Sequence, residues 1–246
     1  MGRIDNDETK GLARPFLILA HVRTGGTFLA HALSNHPQIY CDRGETLHHL
    51  SAWRGAGIQL KAILATIWSQ DGYHAAGFRA IYRQAFHPRV WPFILEAKPH
   101  IIHLTRENVT RQGVSFGYQQ LVRQGKLPYH PVHSFAERAP QPVKADPKEI
   151  VGYALKVRKE MAINAKRVKS YRGPVLQVTY ERMTGGCDAW LEPDVGMDIE
   201  NFLGVEHRIL WVSLRRDFPA PMAAWFTNWA EIRAALKAAG LGGLDG

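Results

Sequence analysis

A short apolar segment followed by a glycine-containing turn constrains the fold of this chain most strongly. Residues 16–20 (FLILA) form a continuous apolar run of strand length, which is typical of a strand buried on both faces of a parallel sheet. The sequence RTGGT follows at 23–27, and a helical pattern begins at 27. This order places backbone N–H groups and a helix N-terminus at one point, a geometry that binds phosphate. We therefore predict an anion-binding loop at residues 23–27.

The positions of the basic residue and the glycines in this loop restrict the kind of ligand that it can bind. Loops of nucleoside triphosphatases have the pattern GxxxxGK[ST], in which the Lys and Ser/Thr serve the terminal phosphate and magnesium. Here Gly26 is followed by Thr27, and the basic residue, Arg23, precedes the glycines. The loop therefore suits a nucleotide without a metal-bridged γ-phosphate. Taken alone, it leaves open a tight strand-to-helix turn that binds no ligand.

A second strand end carries another arginine. Residues 101–104 (IIHL) have the pattern of a buried strand, Arg106 follows, and a helix is predicted over 108–123. Ser115 lies nine residues after Arg106, which corresponds to about two and a half helical turns. Arg106 and Ser115 would hold a phosphate from two sides if this face of the helix turned toward the strand end.

The two stretches together resemble the sulfotransferase family that uses 3′-phosphoadenosine-5′-phosphosulfate (PAPS). The first motif of that family, R-[ST]-G-[ST]-T-[FL]-L after a strand, binds the 5′ sulfophosphate, and residues 23–29 depart from it only at Gly26, where a hydroxyl residue is common. Its second motif, R-x-N and a Ser in the following helix, binds the 3′-phosphate. The resemblance implies that the donor is held by Arg23, Thr24, Gly25, Gly26, Thr27, Phe28, Arg106 and Ser115.

The resemblance extends from about residue 15 to residue 236. The segment 36–45 is similar to the family's HP…GE segment, and 77–79 (GFR) to its GFK strand, with Arg79 in place of Lys. Residues 178–181 (VTYE) and 202–204 (FLG) resemble later motifs. The pattern leans toward the bacterial branch that includes the trehalose and nodulation-factor sulfotransferases. It implies transfer of a sulfuryl group to a hydroxyl of a carbohydrate, glycolipid or other small acceptor, with adenosine 3′,5′-bisphosphate as product.

Glu45 is the predicted catalytic base. The resembled branch carries its base at this glutamate, and Arg23 would stabilise the leaving phosphate of the in-line displacement. Independently, Glu45 follows a predicted strand at 39–41 that we expect to neighbour the phosphate loop, on the side where the strand ends open to ligand. A surface carboxylate is the plain alternative. His48 and His49 compete for the role of base, since an unperturbed pKa of about 6.5 suits it.

Substrate contacts are predicted at His48, His49 and Arg79. Arg79 would contact the sulfuryl group or an acidic acceptor, with a structural ion pair as the alternative. Tyr180 would lie near the adenine or in the core. Residues 126–146, rich in proline and histidine, predict a long loop of the kind that covers substrates.

Strand and helix patterns alternate along the chain and predict one α/β domain with a mostly parallel central sheet flanked by helices. The resemblance implies a P-loop-like sulfotransferase fold for residues 14–246, after a flexible leader at 1–13. Strands are predicted at 16–20, 39–41, 76–82, 101–104 and 175–180. Helices are predicted at 27–33, 58–69, 91–97, 108–123, 147–171, 199–203 and 222–236.

Composition sets the remaining expectations. Lys and Arg number 31 against 22 Asp and Glu, a net charge of +9, which favours an anionic partner. No nucleic-acid recognition motif accompanies this charge, so we expect no nucleic-acid partner. The two cysteines form no CxxC pair and no metal-ligand spacing occurs, so we expect no metal and no disulfide framework. The sequence contains no apolar run long enough to span a membrane, so we expect a cytoplasmic protein. Whether it forms a homodimer is left open by the sequence.

Three alternatives to a sulfotransferase also stay open. A small-molecule kinase or other P-loop nucleotide-binding protein shares the strand–loop–helix design. A non-catalytic, basic nucleic-acid-binding protein would account for the charge. A degenerate loop that binds a nucleotide without catalysis would account for Gly26.

Overall fold

A five-stranded parallel sheet forms the centre of the molecule. The computed structural model describes residues 13–43, 47, 57–126, 142–185, 190–212 and 221–243. All strand pairs in this part of the chain are parallel, and the order across the sheet is β2-β3-β1-β4-β5. The predicted α/β class and parallel sheet are therefore confirmed. The strands are β1 Arg14–Ala20, β2 Ile39–Asp42, β3 Ala75–Ile81, β4 His100–Thr105 and β5 Val175–Thr179.

Helices cover both faces of this sheet, and side chains fix where several of them begin or end. The side chain of Asn108 caps α5 by accepting the N–H of Arg111 at 2.8 Å, and Asp146 caps α6 in the same way. Gly204 ends α8 in the left-handed conformation, with φ of 71°. The helices are α1 Gly26–Ser34, α2 Gly57–Trp68, α3 Tyr82–Ala85, α4 Trp91–Ala97, α5 Val109–Arg123, α6 Pro147–Lys169, α7 Tyr180–Thr184, α8 Pro193–Leu203 and α9 Trp229–Ala238.

The alternation of side chains along β1 explains its unbroken apolar sequence. Phe16, Ile18 and Ala20 pack on one face, in a cluster with residues of α1 and α8. Leu17 and Leu19 point to the opposite face, into a cluster with residues of α2, α4 and α6. All five side chains are buried because a strand with period two that is covered on both faces has no solvent side.

Several predicted elements differ from the structure, and three of the differences have a local explanation or change the type of element. The strand predicted through Tyr180 ends at Thr179, whose hydroxyl accepts the N–H of Arg182 and so caps α7. The short helix predicted at 199–203 begins earlier, at Pro193, a favoured first helical residue. The helix predicted over 222–236 is a single 3-10 turn at 222–224 followed by α9.

The break before α9 has a tertiary cause. The side chain of Asn228 accepts the N–H of Ala145 at 3.2 Å and donates to its carbonyl oxygen at 2.9 Å. Residues 142–146, which we placed in the long loop, therefore pair with the segment leading into α9. The rest of that loop, 127–141, lies outside the described residues, as does the predicted leader except Ala13, which is buried.

Candidate functional site

The loop between β1 and α1 is bent sharply at two residues. Arg23 has φ of 62° and Gly25 has φ of 83°, both in the left-handed region. This conformation is easy for Gly25 but costs a residue with a side chain on the order of 1–3 kcal/mol, and such strain gathers at functional sites. Thr24 is buried and donates its hydroxyl to the carbonyl of His21 at 2.7 Å. The loop backbone is thus held in a bent form from within.

Gly25 is required because another element packs directly against it. A Cβ at this position would lie 2.7 Å from Cδ2 of Tyr180 and 2.9 Å from the Cε of Met183. These residues belong to α7, which follows β5. The absence of a side chain therefore lets the loop and α7 meet.

Gly26 has a different neighbour. A Cβ there would lie 2.9 Å from Cδ of Arg79, although its backbone is an ordinary helical one. Arg79 is half-buried on β3, directly beside Ile18 of β1. The side chain of Arg79 thus occupies the space that a hydroxyl residue at position 26 would take. Gly26 and Arg79, the two positions at which these stretches depart from the sulfotransferase motifs, are therefore neighbours in the structure.

The structure brings the two predicted anion-binding stretches into direct contact. Nε of Arg23 donates to Oγ of Ser115 at 2.9 Å, across 92 residues of sequence. Nη1 of Arg106 donates to the carbonyl oxygen of Arg23 at 3.0 Å. The side chain of Arg106 is 11% exposed and Ser115 is buried. Parallel strands β1 and β4 are neighbours in the sheet, so their carboxyl ends place Arg23 and Arg106 side by side.

Arg106 is held on both sides of its guanidinium group. The group lies over the ring of Tyr180, 4.3 Å from its centroid, and Nε lies 3.6 Å from Oε1 of Glu181. Burial lowers the pKa of Arg106, while Tyr180 and Glu181 act in the opposite direction. Nε is also buried without a hydrogen bond. A buried cation beside a glycine-lined loop fits an anionic ligand.

Glu181 is a residue of this site that the sequence did not single out. Its Oε2 accepts the N–H of Glu107 at 2.9 Å, and Oε1 lies 3.3 Å from the N–H of Asn108. One carboxylate therefore fixes the turn that carries Arg106. The sequence signal was the VTYE match at 178–181, which gave no role to the glutamate.

A second, partly buried network supports the start of the loop. Nε2 of His21 lies 2.7 Å from Oε2 of Glu160 on α6. Nε2 of Gln112, on α5, donates to the carbonyl of Val22 at 2.8 Å and lies 3.1 Å from Nδ1 of His21. These contacts tie α5 and α6 to the end of β1. They hold Ser115, one turn further along α5, against the loop.

The predicted acceptor side is only partly described. Glu45, His48 and His49 lie outside the described residues. In the sheet, β3 lies between β1 and β2, the strand that precedes Glu45. Thr27 and Phe28 are half-buried at the start of α1, where Phe28 packs on the core. Among the described residues, Arg79 of β3 has its side chain beside Gly26 of the loop.

Two further features of the described residues concern ligands and membranes. Within the ranges given above, no three His, Cys, Asp or Glu side chains are grouped in a way that could hold a metal ion. No helix in those ranges combines the length and apolar character needed to cross a bilayer.

Comparison with known proteins finds a solved structure with a similar fold. The chain is similar in structure to a sulfotransferase from Alicyclobacillus acidocaldarius, with a TM-score of 0.55 and 20% sequence identity. The match covers 93% of this chain and 96% of that one. No protein-family model and no curated protein matches the chain. The structural match confirms the predicted sulfotransferase fold.

Proposed function

We propose that this protein is a sulfotransferase that moves the sulfuryl group of PAPS to a hydroxyl of a small acceptor. The hydrogen bond between Arg23 and Ser115 is the main support. It joins the strand–loop–helix that resembles a 5′-phosphosulfate site to the strand end that resembles a 3′-phosphate site. The two subsites are then contiguous, as a nucleotide carrying anionic groups at both positions of one ribose requires.

The loop and Arg23 serve the leaving group. In an in-line displacement the acceptor oxygen forms a bond to sulfur while the bond from sulfur to the nucleotide phosphate oxygen breaks. The departing phosphate gains negative charge, and donors fixed in place before the reaction stabilise that charge most effectively. The backbone N–H groups of the loop and the guanidinium group of Arg23 would supply these donors. Arg106 and Ser115 would hold the 3′-phosphate.

The acceptor loses a proton in the same step. We assign Glu45 as the base that takes it, with His48 and His49 as substrate contacts and as the alternative bases. Arg79 would contact the sulfuryl oxygens or an acidic group of the acceptor, because its side chain lies beside Gly26. A carbohydrate or glycolipid hydroxyl is the proposed acceptor class.

Transfer of label tests the proposed function. The protein is incubated with PAPS labelled at sulfur and a panel of sugars, glycolipids and phenols, without added magnesium. We expect labelled product with at least one hydroxyl acceptor. Turnover of ATP that depends on magnesium, with no transfer from PAPS, would instead indicate a kinase.

Gly26 and Arg79 are expected to behave as a coupled pair. Gly26→Ser places a Cβ 2.9 Å from Cδ of Arg79, and overpacking of this kind costs about 1–3 kcal/mol of unfolding free energy. In an Arg79→Ala background the same change should cost little, because the obstructing methylene is gone. Denaturant melts of the two single variants and the double variant measure this coupling. An equal loss from Gly26→Ser in both backgrounds would contradict it.

A further inference from the structure

We infer that Arg111 is a third arginine of the anion site and that it makes the protein select nucleotides with a 3′-phosphate. The inference deepens the proposed function and rests on it. Arg111 lies between Arg106 and Ser115 in the sequence, but the R-x-N and serine positions of the resembled motif do not include it. The structure shows where Arg111 lies relative to Arg23, Arg106 and Ser115.

The geometry of α5 directs Arg111 toward the site. Arg111 and Ser115 are four residues apart on one helix, so their side chains start from the same face, one turn apart. Ser115 is on the face that meets the loop, because its Oγ accepts the hydrogen bond from Arg23. The cap from Asn108 to the N–H of Arg111 fixes the first turn of the helix. Arg111 itself is half-buried rather than fully in solvent.

Electrostatics agree with this placement. Burial is the first cause that lowers the pKa of Arg106, and the positive charges of Arg111 and Arg23 lower it further. Arg23 after β1 and Arg111 on α5 are thus both close enough to Arg106 for their charges to act on it. Such a cluster of like charges is unfavourable in itself and favours a ligand that brings several negative charges.

The chemistry of the ligand follows from this charge. A phosphate monoester carries about two negative charges near neutral pH, whereas a ribose hydroxyl carries none. A nucleotide with a 3′-phosphate would use all three arginines, and a nucleotide with a free 3′-hydroxyl would use only those near its 5′-phosphate. Arg111 lies on the Arg106–Ser115 side of the site, so its effect should depend on the 3′-phosphate.

A comparison of two nucleotides tests this role. Dissociation constants for adenosine 3′,5′-bisphosphate and adenosine 5′-monophosphate are measured by calorimetry on wild type, Arg111→Ala and Arg111→Gln. We expect both variants to bind the bisphosphate about 10–100-fold more weakly, as loss of a charge-assisted contact requires. Binding of the monophosphate should change less than about twofold. Gln keeps much of the side-chain length, so the pair of variants separates lost charge from lost packing.

Arg182→Ala is the matched control. Arg182 directly follows Glu181 on α7, but its side chain is exposed and pairs with Asp194 and Asp198 at 3.0 and 2.7 Å. Its removal should leave both constants unchanged. Equal weakening of the two nucleotides by Arg111→Gln, or no weakening of either, overturns the inference. If the wild type binds no bisphosphate at all, the proposed function fails together with the inference. If Arg106→Ala abolishes bisphosphate binding and Arg111→Gln does not alter it, only the inference fails.

Discussion

Replacing Arg106 with alanine is expected to weaken binding of adenosine 3′,5′-bisphosphate by about 10²–10³-fold. Removing one partner of a buried, hydrogen-bonded charge pair costs about 2–5 kcal/mol. Arg106 is 11% exposed, is held by Tyr180 and Glu181, and contacts the backbone of Arg23. The variant therefore loses the charge that would meet the 3′-phosphate and one support of the loop. Isothermal titration calorimetry gives the change directly.

Two controls separate these effects. Arg106→Lys keeps the charge but lacks the planar fork of donors, so we expect binding between that of wild type and Arg106→Ala. Circular dichroism of each variant shows whether the fold persists. A folded Arg106→Ala protein with wild-type affinity would show that the nucleotide lies elsewhere.

Replacing Glu45 with glutamine is expected to reduce turnover by about 10²–10⁴-fold, the usual contribution of a general base. The amide has nearly the same shape as the carboxylate but cannot take the proton from the acceptor hydroxyl. Binding of the bisphosphate should stay at the wild-type level, since the proposed nucleotide subsites follow β1 and β4 and include α5. Steady-state sulfuryl transfer and calorimetry on the same preparation give both quantities.

His48→Gln and His49→Gln are the controls for this assignment. As substrate contacts they should raise KM for the acceptor more than they lower kcat. If Glu45→Gln keeps near-normal turnover, the base is instead the histidine, His48 or His49, whose replacement lowers turnover. The two results together therefore assign the proton acceptor.

The parts of the fold that the sequence predicted depend on local patterns. The apolar run at 16–20 indicated a buried strand, and helix α4 was predicted with its observed bounds because its pattern is local. The insertion of β3 between β1 and β2 could not be predicted in this way, because strand order depends on pairing between distant segments. The break before α9 was missed for the same reason, since the partner of Asn228 is Ala145.

The candidate site shows the same difference between features with a local sequence pattern and features that depend on distant segments. Arg23, Arg106 and Ser115 were predicted from motifs, and the structure brings them together. Glu181 was missed because its contacts to the turn after β4 span 74 and 73 residues. The close packing of the Arg79 side chain against Gly26 was also not predicted from the sequence. Each had been noted as a separate departure from the sulfotransferase motif, and only the pairing of β1 with β3 shows that they are neighbours.

Titration of the wild-type protein with adenosine 3′,5′-bisphosphate in the absence of magnesium tests the central claim most directly. Ligand that binds the native state raises its stability by about 2.7 kcal/mol at a concentration one hundred times Kd, so the melting temperature should rise with concentration. ATP with magnesium should give a smaller shift, because the loop has no Lys after Gly26. A clear rise with the bisphosphate is the result we predict. No shift at saturating bisphosphate, or a shift obtained only with magnesium and ATP, would contradict the assignment of the loop.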